Sequence, residues 1–231
     1  MTLDEFKTIF HKFPRTLTQI AFGIMNISTN PDFFAMMEYA RDRGVIPNYT
    51  CHGLDVTPEI ASRTAKICGA VSVSLYDRQK SYDAIKMFSE AGMKQVNIHY
   101  MLAKETLQEA FNVIDDIAND SRLQKLNAIV FLHLKKKGRA NSDKYHYIDS
   151  VEDYKKLIEY AEKSKAGIGF DSCSAPLFMK SVENRKNYDQ LITLAEPCES
   201  SLFSSYINCH GMFFPCSFAE GVERWKEGLD V

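Results

Sequence analysis

Residues 70–101 read AVSVSLYDRQKSYDAIKMFSEAGMKQVNIHYM. AVSVSLY and QVNIHYM are short runs rich in β-branched and aromatic residues. Between them, Ser81 to Ala91 carries apolar residues at helical spacing and stops at Gly92, the residue best suited to end a helix. A strand, a helix and a second strand in about thirty residues make a βαβ unit, whose two strands are parallel and whose crossover is right-handed.

The same cycle extends both ways. Upstream, TQIAFGI (Thr18 to Ile24) and VIPNYT (Val45 to Thr50) read as strands. Between them Asn30 is the expected N-cap, Pro31 the first helical residue, and FFAMMEYARDRG the helix that closes on Gly44. Thr57-Pro58-Glu59 opens the next helix, which ends at Gly69. Downstream come a helix from Lys104 to Asn119, the strand NAIVFLHL, a basic turn KKKGRANSDK, a helix VEDYKKLIEYAEKSK capped by Ser150 with Asp153, and a last strand GIGFDS. About six parallel strands alternating with helices predict an α/β fold, either a partial (β/α) TIM-like barrel, the preferred reading, or an open doubly wound sheet.

After Cys173 the cycle breaks. Two short helices, near Ala175 to Asn184 and Tyr188 to Ala195, lead to PCESSLFSSYINCHGMFFPCSF (197–218), read as two strands joined by a tight turn at Asn208 to Gly211. The expected organisation is therefore a barrel over 1–172 and a small cysteine-bearing β-hairpin extension over 173–231.

Composition excludes several classes. The 231 residues carry 28 Lys and Arg against 30 Asp and Glu, a net charge of −2, so nothing general draws the chain to nucleic acid or an anionic membrane. No apolar run reaches the ~18 residues of a membrane span, and MTLDEFKTIFHKF lacks the pattern of a secretory signal. Six cysteines in such a chain point to a reducing, cytoplasmic setting with buried thiols or metal ligands rather than a disulfide framework.

Chemistry in parallel βα folds collects at the C-terminal ends of the strands. Those ends offer Gly23 to Asn26, Cys51 and His52, Ser74 and Asp77, His99, His133, and Asp171 with Cys173. No phosphate loop, dinucleotide fingerprint or nucleophile elbow is present. A lyase or aldolase would need a rim lysine for a Schiff base, and no strand ends in an obvious one. Cys51 and Cys68 read as buried, inert thiols, and Lys135 to Arg139 as a solvated basic loop able to meet a carboxylate or phosphate. Cys198, twelve residues, Gly211, four residues and Cys216 form a pattern that a hairpin folds back on itself. Cys173, with Cys209 in reserve, completes a soft-ligand set for iron–sulfur or zinc. Cys198, Cys209, His210 and Cys216 are the candidate ligands of a structural zinc in a non-catalytic binding module.

These phrases together resemble radical S-adenosylmethionine (SAM) enzymes with a SPASM or twitch-type C-terminal extension. QIAFG followed by NPDFF resembles the second barrel strand and next helix of that family, VIPNYTCHG its third strand, SVSLY its fourth, and VNIHYML…ET its fifth. Cys198-(x)12-Gly211-(x)4-Cys216 matches the opening half of the SPASM pattern. The resemblance implies SAM as cosubstrate, faced by Gly23, Asn26, Ser74 and His99. It also implies an auxiliary [4Fe-4S] cluster on Cys173, Cys198 and Cys216 with Cys209, an external electron donor, and hydrogen abstraction from a peptide or small molecule. The sequence departs from the family in three places. Cys-x-x-x-Cys-x-x-Cys is absent, Gly23-Ile24-Met25-Asn26 stands where Gly-Gly-Glu is usual, and His52 replaces the Asn of Thr-x-Asn-Gly. A fragment of a longer enzyme, or a degenerate paralogue, is the expectation that follows.

Overall fold

A computed structural model describes residues 1–137, 140 and 143–231; Arg139 of the basic run lies outside the described residues. Six strands, β1 (Gln19–Gly23), β2 (Ile46–Cys51), β3 (Val71–Ser74), β4 (Val96–Leu102), β5 (Ala128–His133) and β6 (Ile168–Phe170), form one sheet in sequence order. The pairings β1–β2, β2–β3, β4–β5 and β5–β6 are parallel. Together with the alternating helices, this is the expected partial (β/α) barrel. The chain divides into two compact units, Met1–Gln95 with Glu199–Val231, and Val96–Cys198.

In the first unit, helices α1 (Leu3–Phe10), α2 (Phe33–Asp42), α3 (Pro58–Ile67) and α4 (Arg78–Glu90) accompany β1 to β3. Thr57 caps α3 by accepting the Ile60 N–H at 3.2 Å, and Asp77 caps α4 by accepting from Lys80 at 3.0 Å. The start of α2 differs from expectation. Asn30 spends its side chain on the Asp32 N–H (2.9 Å), an Asx turn, so Pro31 lies in the turn and the helix begins at Phe33. Phe33, Tyr49 and Phe88 meet edge to face beneath the strands, with centroids 5.2 and 6.3 Å apart along that series.

The same unit contains a three-stranded antiparallel sheet of β7 (Tyr206–Ile207), β8 (Met212–Phe214) and β9 (Leu229–Asp230). The turn is the one predicted. Gly211 takes φ +83°, and the Asn208 side-chain oxygen accepts both the His210 and Met212 N–H groups at 3.0 Å.

In the second unit, α5 (Leu107–Asn119) and α6 (Val151–Lys163) cover β4 to β6, followed by α7 (Ala175–Val182) and α8 (Tyr188–Ile192). Ser150 accepts the Asp153 N–H at 3.2 Å and caps α6. Phe170 stacks on Tyr154 with centroids 5.2 Å apart and leans on Phe131 at 5.7 Å, which fixes the end of β6. Among the described residues no helix is long and apolar enough to cross a membrane.

Candidate functional site

Strand alternation sorts the side chains onto two faces. In the first unit Ile20, Phe22, Tyr49, Cys51, Val71 and Val73 sit with the aromatic residues of the helices or are buried outright. The alternate positions are Gln19, Ala21, Gly23, Asn48, Thr50, Ser72 and Ser74, all small or polar. Gln19, Ala21 and Gly23 are exposed, and Asn48, Thr50 and Ser74 are half-buried. Asn48 donates to Gln19 across the strands at 3.1 Å. A Cβ added at Gly23 would meet nothing within 4 Å, so the strand end is open for a ligand to lie against.

The loops beyond β1 and β2 are tied together. Asn26 offers its carbonyl to the Thr29 hydroxyl (2.7 Å). His52 is buried, and its ring nitrogen Nδ1 accepts the Leu54 N–H at 3.1 Å. Asp55 accepts the Ser28 N–H and hydroxyl through Oδ2 (3.0 and 3.2 Å), whereas its Oδ1 is buried with no hydrogen-bond partner. The histidine that departs from the family pattern therefore braces a rim loop.

In the second unit the face turned from the helices carries Asn97, His99 and Met101 of β4. At the strand ends beside it stands a group the sequence did not single out as a unit. Asp171, just after β6, accepts the His133 N–H (3.2 Å), the Ser174 N–H (3.1 Å) and the Ser174 hydroxyl (2.7 Å), and pairs with the Lys135 ammonium. Tyr154 donates to Ser174 from behind at 3.2 Å. The paired side chains are only 19% and 16% exposed, so this ion pair is well shielded from water. Lys135 is thus a lysine at the barrel rim, two residues beyond the end of β5. Expected in a solvated basic loop able to meet a carboxylate, Lys135 does meet one, but the pair is largely shielded from water and its acid lies 36 residues further along the chain.

Burial pushes the His99 and His133 imidazoles below their ordinary range, with the Asp171 charge opposing. Cys173 is shifted upward, first by burial, against the nearby Lys135 ammonium to which it is hydrogen-bonded.

All six cysteines are free thiols. Cys51 and Cys68 are buried, and burial pushes each up to about 12, in keeping with inert core thiols. Cys173 and Cys198 are exposed in the second unit. In the first, Cys209 is exposed in the hairpin turn, and the half-buried Cys216 accepts the Phe218 N–H through Sγ at 3.3 Å. Among the described residues no three His, Cys, Asp or Glu side chains stand together as a metal-holding group.

No family model matches the chain, and no curated protein matches it. Solved structures do. SuiB of Streptococcus suis bound to S-adenosylmethionine superposes with a TM-score of 0.69 at 14% identity, over 96% of this chain and 54% of that one. SuiB bound to its precursor peptide SuiA gives 0.72 at 13% identity, with 96% and 54% covered. Native anSMEcpe with bound AdoMet gives 0.62 at 15% identity, with 94% and 65% covered. At such identities the likeness shows the fold. The chain spans about half the length of the SuiB chain it matches.

Proposed function

We propose that this chain is the barrel portion of a radical SAM protein of the SPASM type, whose substrate is a peptide. The observation that carries the reading is the small, polar, open face at the ends of β1 to β3, in a fold shared with proteins solved with S-adenosylmethionine and with a peptide. Such a face fits a polar ligand, and the buried, partnerless Asp55 Oδ1 marks a rim loop with hydrogen-bonding capacity left over.

Gly23 would let the ligand lie against the backbone of β1, Asn26 and Ser74 would supply hydrogen bonds, and His99, held neutral by burial, would offer an acceptor at neutral pH. In an intact enzyme SAM would take one electron from an external donor through a [4Fe-4S] cluster, which this chain has no Cys-x-x-x-Cys-x-x-Cys to hold, and would split its sulfur–C5′ bond into methionine and a hydrogen-abstracting 5′-deoxyadenosyl radical. The chain's own work is to orient the cosubstrate and keep water from it.

Cys173, Cys198 and Cys216, with Cys209, are proposed as ligands of an auxiliary [4Fe-4S] cluster on their sequence spacing, within an extension over 173–231 that follows a barrel over 1–172. The described residues do not present a gathered ligand set, so no step is routed through that cluster.

Isothermal titration with SAM tests the first part: the wild-type chain binds it, and Gly23→Val, which fills the open strand end, abolishes binding while leaving the melting temperature within a few degrees. Anaerobic reconstitution tests the second. Iron with matching sulfide that is lost in Cys198→Ala and Cys216→Ala but retained in Cys68→Ala supports the ligand set; zinc alone, or equal iron in all three variants, rejects it.

A further inference from the structure

The outer edge of β6 is unused by that reading. The Ile129 N–H donates to the Gly167 carbonyl at 2.9 Å and the Asp171 N–H to the Phe131 carbonyl at 3.0 Å, so the ladder to β5 takes the backbone groups of 167, 169 and 171. Those of Ile168 and Phe170 turn the other way, where, among the described residues, no further strand of the sheet lies. Both residues are half-buried. Beside them is a cavity of about 190 Å³, walled by Ile158 and Ala161 of α6, Phe178 of α7, Leu191 of α8 and Leu194 just beyond it, all within the second unit. Leu194 is 74% exposed and stands at its mouth.

An apolar cavity of that size takes an aromatic or branched aliphatic side chain, since about 150 Å³ suffices for benzene. On the opposite face of the strand a Cβ added at Gly169 would meet nothing within 4 Å, so both sides of the edge have room. Three carboxylates line the cavity. Glu162 takes Arg185 at 2.5 and 3.0 Å, Asp171 takes Lys135, and among the described residues none pairs with Glu196.

We infer that β6 accepts a further strand from a peptide partner, an extended segment with apolar residues at alternate positions and a basic residue beside them. The inference rests on the peptide-substrate reading and deepens it by naming the kind of segment recognised. Only an extended backbone offers donors and acceptors at the spacing of this edge; a compact apolar ligand would leave the edge groups unpaired. Residues opposite Ile168 and Phe170 share their face, toward the helices, so one of them fills the cavity while Glu196 meets the flanking cation. A second copy of the chain is the less suited occupant. Its own β6 is recessed in the same way, and an edge of three residues, about 10 Å long, gives a contact far below the ~1,200 Å² of a stable interface.

Fluorescence anisotropy is the test, with a fluorescein-labelled nine-residue peptide of alternating Thr and Leu between terminal lysines. It binds at least about tenfold more tightly than the same peptide with Ser for Leu, and at 25 mM NaCl at least about threefold more tightly than one with terminal glutamates. N-methylating every Leu amide blocks one edge of the added strand, and N-methylating every Thr amide blocks the other. One of these two peptides loses at least about tenfold and the other stays within about threefold. Leu194→Glu loses at least about tenfold, whereas Leu202→Glu, at a leucine of like exposure in the first unit, stays within about twofold. No binding of the parent peptide, indifference to Ser for Leu, to the terminal charges or to Leu194→Glu, or an equal response to both N-methyl patterns overturns the inference. SAM titration on the same samples separates the two levels: a chain that binds the parent peptide but not SAM sinks the radical SAM reading alone, and one that binds SAM but not the peptide sinks only the β6 assignment.

Discussion

Replacing Asp171 by Asn tests the rim of the second unit most directly. The carboxylate holds four donors, two backbone N–H groups, the Ser174 hydroxyl and the Lys135 ammonium, at about one-sixth exposure. Asn retains one acceptor oxygen but turns an NH2 group toward a donor and leaves the ammonium without its counter-charge. Breaking a fully buried pair costs about 3–5 kcal/mol, and the residual exposure here lowers that to about 2–3 kcal/mol. For a chain of this size about 2–4 °C accompanies each kcal/mol, so circular dichroism melts at pH 7.5 should show Asp171→Asn falling by about 5–10 °C. Lys135→Met/Asp171→Asn, which removes both charges, should recover about half of that loss. Glu162→Gln, which breaks the more exposed Arg185 pair, should cost under about 1 kcal/mol. A fall below 2 °C for Asp171→Asn, or a double variant no better than the single, would refute the reasoning.

Other outcomes follow from the packing. Because the folded state holds His99 and His133 below their ordinary range, it takes up fewer protons than the unfolded chain. Their contribution is therefore neutral above about pH 7 and turns destabilising as pH falls below the unfolded value of about 6.5. His99→Gln/His133→Gln should flatten the loss of melting temperature between pH 7 and 5, and an unchanged slope would count against it. Tyr49→Phe strands the buried Thr64 hydroxyl, 2.7 Å away, and should cost about 1–2 kcal/mol in urea titration; Tyr49→Phe/Thr64→Val should cost less than either single change. At Gly228, φ +75°, an added Cβ would meet the Phe214 ring at 2.6 Å and the Phe213 carbonyl at 2.9 Å. Gly228→Ala should therefore release β9, seen as rapid amide exchange at Leu229 and Asp230 with the parallel strands still protected.

All six parallel strands were legible because period-2 and period-3.6 patterns alternate cleanly from Thr18 to Phe170. The hairpin was legible from Asn208 to Gly211, a turn whose chemistry is local. Other features were not read. Helix α1 carries a capping box, Thr2 with Glu5, a local signal present in the sequence but lying before the first βα cycle. β9 is two residues long and has no period to detect. At Asn30 the sequence is ambiguous, because an Asx turn and an N-cap begin with the same residue. Of the candidate residues, Gly23, Ser74 and His99 each fall on a strand face turned from the helices of their own unit, which alternation alone could tell. That the basic loop could meet a carboxylate was legible, but that Lys135 takes Asp171 in particular was not, since it depends on the fold bringing distant coil residues to one point.

Each parallel strand lies beside its immediate predecessor in the sequence. A nascent chain leaving the ribosome can therefore dock every new strand onto the one already in place, with no wait for a distant partner. A pause in translation would therefore leave open the edge of the most recently made strand, in addition to the outer edge of β1.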